Sequence, residues 1–186
     1  YVSYEEGIYM DYRYHETRYA DMVKSDGKAA ADEWYDGEKG VVYPFGYGLS
    51  YTTFNQKIVK ITPAENSVLN ENSDVIEVSV LVKNTGNVAG KDVVELYYTA
   101  PYIAGGIEKS YYSLQEFAKT SLLEPGDEKF YPITFSFRDM ASWSTKDGCY
   151  VLEKGAYEIS LRKNVWDIQT STKQKGAKFD INLDSD

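Results

Sequence analysis

The chain has 186 residues, 42% of them hydrophobic, which suffices for one packed domain, or one domain with part of another. Its formal net charge of −9 argues against nucleic acid or an anionic membrane as a partner, because both demand basic patches. No apolar run approaches the roughly 20 residues of a membrane span.

Residues 1 to 54 hold more than half of the 18 tyrosines, in stretches such as "YEEGIYMDYRYHETRYADM". The carboxylates there, Glu5, Glu6, Asp11 and Glu16, raise the thought of glycoside hydrolysis, which sets two of them across one bond. Neighbours in sequence do not make such a pair, since adjacent strand residues point to opposite faces. The segment is read as solvated or salt-bridged, with Arg13 and Arg18 as counter-charges. "DMVKSDGKAAADEWYDGEKG" then reads as a polar excursion with a helical turn over Ala29 to Trp34. "VVYPFGYGLSYTTF", residues 41 to 54, concentrates aromatic surface in a loop shaped by Pro44, Gly46 and Gly48. It is no phosphate cradle, because the third glycine of a dinucleotide fingerprint is missing. It is no nucleophile elbow either, because Ser50 lacks the flanking glycines.

After Phe54 the pattern changes to period two, the mark of half-buried strands. "QKIVKIT" is the first. In "VIEVSVLVKN", Ile76, Val78, Val80 and Val82 share a face. "NTGNVAGK" reads as a hairpin connection. "KDVVELYYT" puts Val94, Leu96 and Tyr98 together, and "LQEFAKT" follows after a loop. "LEPGDE" is a Pro-Gly turn. "KFYPITFSF" aligns Tyr131, Ile133, Phe135 and Phe137. "CYVLE", "GAYEISLRKN" (Tyr157, Ile159, Leu161) and "AKFDINL" (Phe179, Ile181, Leu183) complete seven or eight strands. No long amphipathic helix interrupts them. The expected fold is therefore all-β, an antiparallel immunoglobulin-like sandwich whose core includes Val80, Val82, Leu96, Phe135, Tyr157 and Ile159. An irregular tail precedes it.

The single residues offer little chemistry of their own. Cys149, the only cysteine, reads as a small buried side chain at a strand start. His15, the only histidine, has no second histidine for a metal site. "DINLDSD" opens like a calcium loop but lacks its glycine and closing glutamate, and strand alternation already explains it. No cofactor is expected. The lone cysteine and the lack of an Asn-x-Ser/Thr sequon favour a cytoplasmic setting. The chain begins at Tyr1 rather than Met, so a targeting signal is not read from it.

Together, "YEEGIYMDYRYHET", "YPFGYGLSYTTF", "VKNTGNVAGKDVVELYYTAP" and "LQEFAKTSLLEPGDE" resemble, in this order, the C-terminal region of glycoside hydrolase family 3 enzymes, which are typically β-glucosidases. The resemblance implies that residues 1–54 are the end of an α/β sandwich domain with an aromatic hinge, and 55–186 a fibronectin type III-like sandwich. It implies that the catalytic residues lie outside this chain, on the parent's TIM-like barrel and α/β sandwich. Those domains would be its partners, and carbohydrate would be met only through them. Neither Glu5 nor Glu6 inherits a catalytic role. The long insertion before "VVYPFGYGLSYT" is more like bacterial members in which these domains precede the barrel. The hinge aromatics Tyr43, Phe45, Tyr47, Tyr51 and Phe54 would bury ring area between domains. Two further readings stay open. One is a carbohydrate-binding module using Tyr97, Tyr102, Tyr111, Tyr112, Trp143 and Trp166. The other is an adhesion-type β-sandwich.

Overall fold

A computed structural model describes residues 1–3, 7–37, 40–64, 68–69, 75–169 and 177–181. Two helices come first, α1 (Tyr12–Ser25) and α2 (Lys28–Asp36). The strands are β1 (Phe54–Thr62), β2 (Val68–Leu69), β3 (Val75–Asn84), β4 (Val93–Thr99), β5 (Ser113–Lys119), β6 (Glu128–Ser136), β7 (Ser142–Ser144), β8 (Cys149–Val151), β9 (Gly155–Arg162) and β10 (Ala177–Ile181). One sheet has the order β1-β3-β6 and the other β2-β10-β9-β4-β5, while β7 and β8 form a separate hairpin. All pairings are antiparallel except β2 with β10.

The sandwich core follows from the alternation. Ile76, Val78, Val80 and Val82 are fully buried on β3, opposite exposed Glu77 and Lys83. They meet Leu96 from β4, Phe135 from β6, and Tyr157 and Ile159 from β9 in one cluster. Phe137 is buried but has left the strand: β6 stops at Ser136, and Phe137–Met140 form a 3₁₀ turn closed by a Ser136–Asp139 capping box. Pro132 falls on β6, an edge strand, where a missing N–H costs no ladder bond. In β1 the register with β3 slips between Ile58 and Lys60. The extra residue, Val59, is exposed. This bulge lets Ile58 and Ile61, which strict alternation would send to opposite faces, both pack on the core.

The tail contains more order than its sequence suggests. Tyr12, Glu16, Tyr19, Ala20 and Val23 recur at helical spacing, and α1 turns that face inward. Asp26 and Gly27 N–H groups both donate to Met22 O (2.8 and 3.0 Å), and Gly27 adopts φ +89°, which ends α1. The Ala-rich run after it makes α2, two full turns rather than one, with Ala31 and Tyr35 buried.

Cys149 is exposed, not buried. It opens β8, which pairs only with β7 and lies outside both main sheets, so no second layer covers it. The Phe179, Ile181 and Leu183 alternation and the rest of "DINLDSD" lie beyond the described side chains; Ala177–Ile181 pair with β9 as a strand.

Candidate interdomain surface

The large sheet is covered on both faces. Val94, Leu96 and Tyr98 of β4 face the sandwich core, while Glu95 and Tyr97 face the other way and are also buried. On β9, Ser160 and Arg162 do the same. The cover on this outer face is α1, α2 and the segment 41–54. The sequence carried a signal for this: "VVELYY" has apolar residues at consecutive positions, as strands buried on both faces do.

Several contacts hold the cover down. Tyr12 lies edge-on to Tyr97 with centroids 6.4 Å apart, and its hydroxyl accepts from Leu114 N–H at 3.0 Å. Thr17 Oγ1 accepts from Tyr111 N–H at 2.8 Å. Trp166 stacks on Tyr35 at 4.7 Å and meets Tyr19 edge-on at 4.6 Å. The Tyr35 hydroxyl donates to Glu16 at 2.5 Å. Burial raises the Glu16 carboxyl above its ordinary range, and the Tyr35 hydrogen bond and the Arg162 charge oppose that rise. The cation that balances Glu16 thus comes from β9. Arg13 and Arg18, the neighbours in sequence, are exposed. Asp11 is exposed too, and Glu5 and Glu6 lie outside the described residues.

The aromatic segment is pinned at both ends. Val165 N–H donates to Phe45 O at 2.9 Å, and the Phe45 ring stacks on Tyr12 at 4.4 Å. Tyr47 N–H donates to Pro44 O, closing a turn in which Gly46 has φ +82°. A Cβ on Gly46 would stand 2.4 Å from the Glu95 carboxylate. At the other end buried Thr52 donates to Asn84 Oδ1 at 2.8 Å, and Asn84 Nδ2 donates to Val88 O and Leu123 O. Cβ atoms on Gly86 or Gly90 would collide with Thr52 at 2.2 and 2.7 Å. The glycines of "NTGNVAGK" therefore make room for "SYTTF", and the two blocks are one piece of structure.

On both sides of Phe45 side chains of the segment point to solvent. Tyr51 is 99% exposed, Leu49 89%, Val42 84% and Tyr43 69%. Tyr43 and Tyr47 rings lie 5.1 Å apart, with Tyr47 also exposed. Of the five hinge aromatics, Phe45 bridges to α1 and Phe54 packs against the sandwich core, while Tyr43, Tyr47 and Tyr51 face away from this chain. The six aromatics considered for sugar binding are divided as well. Tyr97 is fully buried, Tyr102 is exposed, Trp143 pairs with Tyr150 at 5.2 Å, and Tyr111, Tyr112 and Trp166 line one cavity.

Beside the segment, Glu95 accepts from the Tyr97 hydroxyl at 2.8 Å. Burial pushes its carboxyl up to about 7; the Tyr97 bond opposes this and the Asp92 charge adds to it. Sequence reading missed both this pair and the Glu16–Tyr35 pair, because each depends on which layer covers the sheet. Among the described residues no group of three or more His, Cys, Asp or Glu is arranged to hold a metal.

The profile of the fibronectin type III-like domain matches residues 92–165. β-Glucosidase A of Butyrivibrio fibrisolvens is 39% identical over 90% of this chain and 19% of its own length. Thermostable β-glucosidase B of Acetivibrio thermocellus is 31% identical over the same shares. Among solved structures, β-glucosidase 3B of Thermotoga neapolitana, in complex with α-D-glucose, superposes with a TM-score of 0.71 at 31% identity, over 97% of this chain and 20% of that one. A GH3 β-glucosidase of Bifidobacterium adolescentis gives 0.67 at 26% identity, over 89% and 20%. The chain matches a region of family 3 β-glucosidases, with their fibronectin type III-like domain. It spans about a fifth of the length of these relatives. The stretch matched as fibronectin type III-like contains β4 to β9, and β1 and β3 complete its smaller sheet.

Proposed function

We propose that the chain is the non-catalytic bracing part of a family 3 β-glycosidase of the β-glucosidase kind, which hydrolyses terminal β-linked sugars with retention. Residues 1–54 are then the end of an α/β sandwich with its aromatic hinge, and 55–186 the fibronectin type III-like domain. The observation that carries this reading is the segment 41–54. It is held at Phe45 through its backbone and at Thr52 through its side chain, yet Val42, Tyr43, Leu49 and Tyr51 stand in water. A held, exposed apolar stretch marks a docking surface. The occupants are the parent's remaining α/β sandwich and its TIM-like barrel, since four-fifths of each matched relative lies outside this chain.

Retaining hydrolysis needs a nucleophile and an acid/base about 5–5.5 Å apart. The two buried glutamates are engaged otherwise: Glu16 accepts from Tyr35, joining α1 to α2, and Glu95 accepts from Tyr97 on its own strand. The isolated chain should therefore leave an aryl β-glucoside at the rate of the buffer blank, while the full-length parent turns it over. Replacing Tyr43, Leu49 and Tyr51 together by Ser in the parent should lower its thermal stability and activity, and leave the isolated chain as stable as before. Turnover by the purified chain, or no effect of the triple change in the parent, would sink the proposal.

A further inference from the structure

We propose that the basic cavity beside residues 46–54 receives a carboxylate-bearing segment of the parent's remaining domains. This deepens the bracing reading, on which it rests, by naming the chemistry of the surface that docks. The cavity measures about 540 Å³. One wall is the aromatic segment itself, where Leu49 is 89% exposed. Lys91, Lys119 and Lys163 stand around the rest.

The large sheet brings these three lysines together. β9, β4 and β5 are neighbours and run antiparallel. Lys163 follows the last residue of β9, Lys91 lies just before β4, and Lys119 ends β5. All three therefore fall at one end of the sheet. Each is exposed, and none is ion-paired among the described residues, where the pairs are Lys28–Asp32, Lys83–Glu128 and Lys109–Glu153. The chain carries 29 acidic residues against 20 basic ones, so three lysines gathered with no acid paired to them run against its own composition.

The two carboxyls in the cavity do not neutralise these cations. Asp92 accepts from Gln56 Nε2 at 2.7 Å, and Glu95 accepts from the Tyr97 hydroxyl at 2.8 Å. Burial raises both carboxyls, and Glu95 reaches about 7, so it carries only part of a negative charge at neutral pH. The Lys163 charge acts on Asp92 without pairing to it. Three ammonium groups around one cavity repel each other and attract an anion. A small free anion would answer the lysines but leave Leu49 and Tyr51 in water. A protein surface answers both, with apolar side chains on the segment and an Asp or Glu among the lysines. Interfaces have this form, an apolar centre with a charged rim of complementary sign.

The test is thermal melting of the full-length parent carrying Lys91→Gln, Lys119→Gln and Lys163→Gln together. Its melting temperature should fall by a few degrees in low salt. The isolated chain with the same changes should melt as before, since its lysines hold no partner there. In about 1 M salt, where the Debye length is about 3 Å, the parent's loss should shrink. Lys91→Arg, Lys119→Arg and Lys163→Arg together should keep the low-salt value, because the charge remains. No loss in the parent, an equal loss in the isolated chain, a loss that salt leaves unchanged, or an equal loss with Arg would each overturn the assignment. So would inorganic phosphate that raises the melting temperature of the isolated chain but not of its Gln variant, which would make the cavity a small-anion site. A parent weakened by Ser at Tyr43, Leu49 and Tyr51 but not by Gln at the lysines would keep the bracing reading and lose this one.

Discussion

Glu95 and Gly46 bring sheet and cover into close contact. The carboxyl of Glu95 lies against the Gly46 backbone and accepts from Tyr97, and Asp92, Lys91, Lys119 and Lys163 line the cavity it shares with Gly46. Its pKa rises from 4.5 to about 7, so the folded chain holds a proton there that the unfolded chain has lost. The stabilisation from that proton is complete below pH 4.5 and is lost as pH rises through about 7. Asp92, also raised by burial, has the same sign. Glu95→Gln keeps the shape without the charge. Its melting temperature should exceed the parent's by more at pH 8 than at pH 5; a pH-independent difference would contradict this. Gly46→Ala should destabilise by about 1–3 kcal/mol, since its φ of +82° is unfavourable for a residue with a Cβ. The steric part should shrink when Glu95 is also cut to Ala, so a double-mutant cycle in urea should be non-additive.

At the scale of elements, legibility tracked periodicity. The alternation in β3, β4, β6 and β9 was read from "VIEVSVLVKN" and its fellows, and the six core residues named from it are all buried. α1 was hidden by its tyrosines, because Tyr12 and Tyr14 with the nearby charges mimic a strand's period of two. The helix wins because its inward face is completed by Glu16, whose partners Tyr35 and Arg162 come from elements 19 and more residues away. No local pattern reports such a partner. The bulge at Val59 was likewise invisible, since register is a property of the pair β1 and β3. It can be tested by contrast. Ile58→Ala should cost about 2 kcal/mol or more, as a core truncation does. Val59→Ala, at an exposed side chain, should stay within about 0.5 kcal/mol. Equal losses in chemical denaturation would mean that β1 has no bulge.

The whole chain is a three-layer body: a small sheet, a large sheet and a helical cover carrying the outward aromatic segment. The layers differ in how they are held. The two sheets share a continuous apolar core, whereas the cover rests on ring contacts and a few hydrogen bonds. Phe45 ties the segment to α1 through its ring on Tyr12 and to the stretch after β9 through its carbonyl to Val165. Phe45→Ala removes the ring and keeps the carbonyl. Phe45 is 38% exposed, so the loss should be about 1–2 kcal/mol, less than for a fully buried ring. It should also be local, because Tyr12 meets the sheet at Tyr97 and Leu114, at its edge beside α1. Amide exchange should therefore quicken in α1 and along 41–51, and stay unchanged in the Ile76–Val82 stretch of β3. Equal loss of protection in β3 would show that cover and sandwich unfold as one unit. The aromatic segment would then be part of the sandwich's own stability rather than a separately held surface.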